Sequence, residues 1–230
     1  MYLLKAVILP IIALIFSALT FQRNIVWKYE MDIWKDAIKK SPYNNRSYNG
    51  LGVVYLNNDY VDNAIKELSA SIGLYPSFAP AHLNLGNAFF AKGSFEMAIE
   101  EYRLSIRLAP NLADAHSNLG NALLGIGKFE DAVKEHLLAI QMKPSNPNFH
   151  LNLGVAYSNL GLLDSAEGEY KIALKLNPDS LLAHNNLGVV YAKKGDVEKA
   201  IIEFQEALRI DPSYSGARDN LNRALSMKGM

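Results

Sequence analysis

Six prolines fall at a constant step: Pro42, Pro76, Pro110, Pro144, Pro178 and Pro212 are each 34 residues apart. Gly52, Gly86, Gly120, Gly154 and Gly188 keep the same interval, as do Ala64, Ala98, Ala132, Ala166 and Ala200. A fixed period in this range marks stacked supersecondary units, none of which buries its apolar face alone. The phase predicts five units: 45–78, 79–112, 113–146, 147–180 and 181–214.

Each unit divides into two helices of roughly 14 residues. Unit position 15 is Asp59, Gly93, Gly127, Gly161 or Gly195. These residue types tolerate the left-handed conformation that ends a helix. The proline at position 32 stops the second helix and turns the chain into the next unit. The glycine at position 8 is mid-helix, where it costs about 1 kcal/mol against alanine. Its recurrence implies a steric reason, and the expectation is that it faces the alanine at position 20 so that two helices approach closely. Large residues at position 24, namely Leu68, Tyr102, His136, Tyr170 and Phe204, are expected to join Leu51, Leu85, Leu119, Leu153 and Leu187 in a continuous core.

The flanks follow from the same phase. Residues 25–44 read as a connecting helix or half-repeat, with Ile25, Val26, Tyr29, Ile33, Trp34, Ala37 and Ile38 on one face and Trp34 at the phase of Leu68. Residues 215–230 read as a capping helix, with Leu221, Ala224 and Leu225 covering the last pair and Arg218, Asp219, Asn222 and Arg223 in water. From Ala6 to Phe21 there is no charge. Residues 1–22 are therefore expected to form a single-pass transmembrane anchor, with a cleaved signal peptide as the alternative.

Composition narrows the function. The 230 residues carry no net charge, which argues against nucleic-acid binding. No cysteine is present, so neither a disulfide framework nor a thiolate metal site forms. There is no glycine-rich phosphate loop, no His-Glu-x-x-His and no nucleophile elbow. No enzyme activity, cofactor or metal is expected.

The pattern of Leu-Gly-x-x-Tyr followed by Gly, Ala, Phe, Ala and Pro at these offsets resembles the tetratricopeptide repeat (TPR). That resemblance implies an all-α TPR α-solenoid, a right-handed superhelix of helix pairs. Position 4, often Trp in the family, is here Tyr48, His82, His116, His150 and His184. The His-x-Asn-Leu-Gly segments are similar to the superhelix of O-GlcNAc transferases, whose asparagine ladder holds an extended peptide. By that resemblance Asn84, Asn118, Asn152 and Asn186 point into a concave groove, with Asn87 and Asn121 beside them. Gln22-Arg-Asn-Ile-Val-Trp-Lys, Ile33-Trp-Lys-Asp and the segment from Ser41 to Gly52 resemble the junction in repeat-bearing membrane O-mannosyltransferases. This implies repeats on the extracytoplasmic side, whereas the charge bias around 1–22 points to the cytoplasmic side.

Three sets of polar residues have competing readings. One histidine per unit invites a metal site, but helices pack ~8–10 Å apart and direct ligation needs ~2 Å, so packing is the expected role. The recurring asparagines are either solvated or bonded locally, or they bind a peptide backbone through their amides. Glu100, Glu101, Glu167 and Glu169 read as solvated outer-face carboxylates. Position 5 holds Asn49, Leu83, Ser117, Leu151 and Asn185, so the basic clamp that some family members place there is missing.

The expected function is a membrane-anchored interaction module that takes a protein or peptide partner in its groove. The alternatives are an accessory or detached part of a membrane O-glycosyltransferase system, and a self-associating scaffold.

Overall fold

The computed structural model describes residues 28–228. The anchor or signal peptide expected over 1–22 lies outside them. Among the described residues there are twelve helices and no strand. They are α1 (28–40), α2 (Asn45–Asn57), α3 (Val61–Leu74), α4 (Ala79–Ala91), α5 (Phe95–Leu108), α6 (Ala113–Gly125) and α7 (Phe129–Met142), then α8 (Pro147–Asn159), α9 (Leu163–Leu176), α10 (Leu181–Lys194), α11 (Val197–Ile210) and α12 (Ser215–Lys228). No helix among the described residues is long and apolar enough to cross a membrane.

The helices form two compact units, one ending at Gly93 and one beginning at Ser94. In the first, α2 and α3 pair and α4 packs on both. In the second, α6/α7, α8/α9 and α10/α11 pair, and each second helix also packs on the first helix that follows it. Successive first helices α6, α8, α10 and α12 touch one another, whereas the second helices α5, α7, α9 and α11 do not. The second helices fan apart, so the first helices line the inner side of that unit's curve.

The left-handed stops fall where the sequence places them. Backbone φ at position 15 runs from 63° at Asp59 to 85° at Gly195. Asp59 is the one non-glycine residue with positive φ among the described residues.

The steric reason for glycine at position 8 differs from the expected one. A Cβ on Gly154 meets the ring of Tyr170 at 2.5 Å, and one on Gly188 meets Phe204 at 2.6 Å. Gly52 faces Leu68 and Gly120 faces His136 in the same way. The glycine makes room for the bulky residue at position 24 of its own unit, not chiefly for the alanine at position 20. Those alanines, Ala64, Ala132, Ala166 and Ala200 among them, are nonetheless fully buried.

His136 departs from its counterparts in chemistry. It is completely buried, and neither ring nitrogen has a hydrogen-bond partner. Burial pushes its pKa down to about 4, because a charged ring there loses its hydration.

At the two ends some helix faces differ from the expectation. On α1, Trp34 is half-buried and its indole fills the space that a Gly50 side chain would occupy. Tyr29 and Ile33, expected on the packed face, are 68% and 48% exposed. On α12, Ala217 and Ala224 are buried and Leu221 packs on the core, while Leu225 is turned outward. One helical stripe of that width accommodates the two alanines and Leu221, and Leu225 lies beyond its edge.

Candidate functional site

The residue at position 4 has a defined structural task. His82, His116, His150 and His184 each place Nε2 against the carbonyl of the proline six residues earlier, at 2.9–3.4 Å. The Tyr48 hydroxyl donates to the Pro42 carbonyl in the same register. On α12, the Arg218 guanidinium donates to the Pro212 carbonyl. Each joint lies just beyond a helix end, where carbonyls lack intrahelical donors. Phenol, imidazole and guanidinium all supply the missing donor.

His116, His150 and His184 also bond a carboxylate on the second helix of their unit. Nδ1 of His116, His150 and His184 lies 2.7 Å from Glu135, Glu169 and Glu203 respectively. A carbonyl only accepts, so Nε2 carries the hydrogen in the bond to the proline, and the imidazole links that carbonyl to the carboxylate at Nδ1. These rings are structural ties, as packing implies. Among the described residues no group of three His, Asp or Glu side chains is placed to hold a metal.

The carboxylates at 167 and 169 are not solvated surface groups. The Glu169 side chain is 21% exposed and the Glu167 side chain 16%. Hydrogen bonds from Lys171 and then Lys194 pull the Glu167 carboxyl down to about 2. The signal for the histidine partners was present in the sequence. Glu67, Glu101, Glu135, Glu169 and Glu203 all occupy unit position 23.

The expected binding residues are half-buried on the first helices: Asn84 and Asn87 on α4, Asn118 and Asn121 on α6, Asn152 on α8, Asn186 on α10. In the unit from Ser94 onward, positions 2, 6, 9 and 13 are partly or fully exposed on each of these helices. Asn118, Asn152 and Asn186 make the central column, and Asn220 of α12 continues it at the same phase. The sequence reading missed Asn220 by treating the cap only as a cover. Asn121 shares position 9 with Val155, Val189 and Arg223.

These amides are also part of the stack. Asn152 Nδ2 donates to Ser117 Oγ at 3.2 Å, and Asn220 Nδ2 donates to Asn185 Oδ1 at 3.0 Å. In the first unit Asn84 Nδ2 donates to Asn49 Oδ1 at 3.0 Å. Each bond runs from position 6 to position 5 of the preceding first helix and fixes the amide's orientation. A primary amide has two N–H groups and a carbonyl with two lone pairs, so one such bond leaves most of its capacity outward. Asn186 accepts a longer bond from Asn185, at 3.4 Å.

The first unit carries a depression of about 660 Å³ on the corresponding face. Trp34, Ile33, Val53 and Phe78 wall it, with Glu30, Arg46, Asn49 and Asn57 among its polar lining residues. Gly50 there takes the place of the position-6 asparagine.

Sequence profiles of the tetratricopeptide repeat match residues 46–78, 86–127, 122–161 and 151–215. The chain belongs to the tetratricopeptide repeat family. No relative among the curated proteins matches it. Among solved structures, YrrB, described as a TPR protein with an unusual peptide-binding site, superposes with a TM-score of 0.65 at 21% identity, covering 86% of this chain and 98% of YrrB. TTC0263, a thermophilic TPR protein in Thermus thermophilus, gives 0.66 at 22% identity, covering 79% of this chain and 98% of its own. MamA from Desulfovibrio magneticus RS-1, from residue 41 to its end, gives 0.67 at 20% identity, covering 74% and 97%. At these identities the likeness is one of fold. As a TPR chain, this protein has the helix-pair architecture of an interaction module, and its first helices carry the amide column.

Proposed function

We propose that the chain holds an extended peptide, or an extended segment of a protein partner, along the first-helix face of the unit that begins at Ser94. The observation that carries this reading is the column of Asn118, Asn152, Asn186 and Asn220. These are half-buried amides repeated at one phase of successive helices, and two of them are oriented by side chains of the helix before. An amide both donates and accepts, which matches a peptide backbone without selecting its side chains. The resemblance to O-GlcNAc transferase repeats supports the same use, as does the peptide-binding site of YrrB. The apolar run from Ala6 to Phe21 then tethers this face to a membrane. By the O-mannosyltransferase-like junction, the repeats stand on the extracytoplasmic side. That junction also favours a second reading, in which the bound segment is an acceptor protein presented to a separate membrane glycosyltransferase.

The test compares two variants of the full-length chain in detergent. Asn118→Ala with Asn152→Ala removes two amides of the column. Ser117→Ala removes only the bond that Asn152 makes within the stack. Peptide capture from a random library falls sharply in the first and is retained in the second. Equal retention in both, with both folded, refutes the groove reading.

A further inference from the structure

The basic side chains of the last helix pair, α10/α11, and of α12 are mostly in use. Lys194 bonds Asp164 and Glu167, Lys199 bonds Asp196, and Arg209 bonds Glu206 and Asp179. Arg218 donates to the Pro212 carbonyl, and Lys228 lies 3.7 Å from Glu198. From Leu181 to Lys228, two cationic side chains have no oxygen partner among the described residues: Lys193 and Arg223. Both line one depression of about 270 Å³ between α10 and α12. They sit at positions 13 and 9 of the first-helix face, the columns that follow the asparagines towards the helix C-termini. Asn220 lines the same depression, together with apolar Val189 and Met227, and no Asp or Glu among the described residues does.

Two cations lining one apolar-floored depression, with no Asp or Glu among its described lining residues, are complementary to an anion. A carboxylate there gains charge-assisted bonds that the protein itself does not supply. We infer that the α10–α12 end of the face is a subsite for an acidic side chain of the bound peptide. The Glu or Asp carboxylate lies between Lys193 and Arg223, and an adjacent apolar residue rests on Val189 and Met227. This deepens the peptide-binding reading and rests on it. The amide column holds backbone, and this subsite adds the preference for sequence that the column lacks. Opposite charges also steer encounter, so the preference weakens as salt screens it.

The experiment selects a phage library of random dodecapeptides, fused through their C termini so that none has a free terminal carboxylate. The bait is the full-length chain in detergent, in parallel with a Lys193→Ala, Arg223→Ala variant and the Asn118→Ala, Asn152→Ala variant. Both substituted cations are exposed, so the variant is expected to fold and melt with the wild type. The expected result is Asp and Glu enrichment on the wild type, lost on the Lys193/Arg223 variant. A synthetic amidated winner loses roughly tenfold in affinity when its Glu becomes Gln. Selected peptides with no acidic enrichment, whose capture still depends on Asn118 and Asn152, overturn the acidic subsite and leave the groove standing. A dependence on charge confined to synthetic peptides with a free C terminus overturns the side-chain assignment. Recovery no better than on an unrelated protein overturns the groove and the subsite together.

Discussion

His136 offers the sharpest test of the packing, because its four counterparts are Leu68, Tyr102, Tyr170 and Phe204. His136→Phe puts an apolar ring where an imidazole is buried with neither nitrogen partnered. At neutral pH the gain is that of removing an unsatisfied buried polar group, about 1 kcal/mol after allowance for the larger ring. The effect of pH is larger and its sign is fixed. The folded chain holds His136 neutral down to about 4, while an unfolded chain takes up the proton near 6.5. Between those values the unfolded state binds more protons. The wild type's contribution from this group is therefore full above about 6.5 and is lost as pH falls towards about 4. At about pH 4.5 the loss amounts to about 2.5 kcal/mol, from the linkage relation applied to that shift. Urea denaturation of the wild type and of His136→Phe at about pH 7.5 and about pH 4.5 separates this effect from that of the carboxylates, which both chains share. The stability gap between the two is expected to widen by about 2.5 kcal/mol on acidification. A gap that stays constant means that His136 is hydrated or partnered, and refutes the account of the α6/α7 interface.

Two further predictions concern the joints and the helix crossings. Gly154→Ala drives a methyl into the ring of Tyr170, so despite the better helix propensity of alanine it destabilises by about 1–3 kcal/mol in urea. Gly168→Ala, on the open side of α9 with nothing within 4 Å of the added carbon, stabilises by up to about 1 kcal/mol in the same assay. His150→Ala leaves the Pro144 carbonyl and the Glu169 carboxyl without their ring partner and costs about 2–4 kcal/mol. Glu169→Gln keeps an acceptor facing Nδ1 and costs about 1 kcal/mol, and equal losses from the two variants argue against the tie described here.

The repeat phase was legible because it is carried by Gly, Pro and Ala, which turns and close helix contacts demand at fixed offsets in every unit. The left-handed stops and the helix pairs follow from those residues directly. The partners of the polar side chains were harder to read. The interval from His116 to Glu135 crosses a turn and belongs to no single-helix spacing, so Glu169 looks like an ordinary surface carboxylate until the two helices are paired. The amide face was visible as a phase, including the Asn220 that went unread. Its bonds to Ser117 and Asn185 depend on the stagger of neighbouring helices, which composition does not encode. The division at Gly93, inside the second repeat, has no mark in the sequence period.

The tie at position 4 asks only for a hydrogen to give to a proline carbonyl. Tyrosine, histidine and arginine each meet that demand at one seam or another. At this one contact, neighbouring units can be duplicated, deleted or exchanged during descent without a matched pair of changes across the boundary. The proline joint therefore sets little limit on the length of such an array, and the asparagine bonds between first helices are the contacts that tie one unit's sequence to the next.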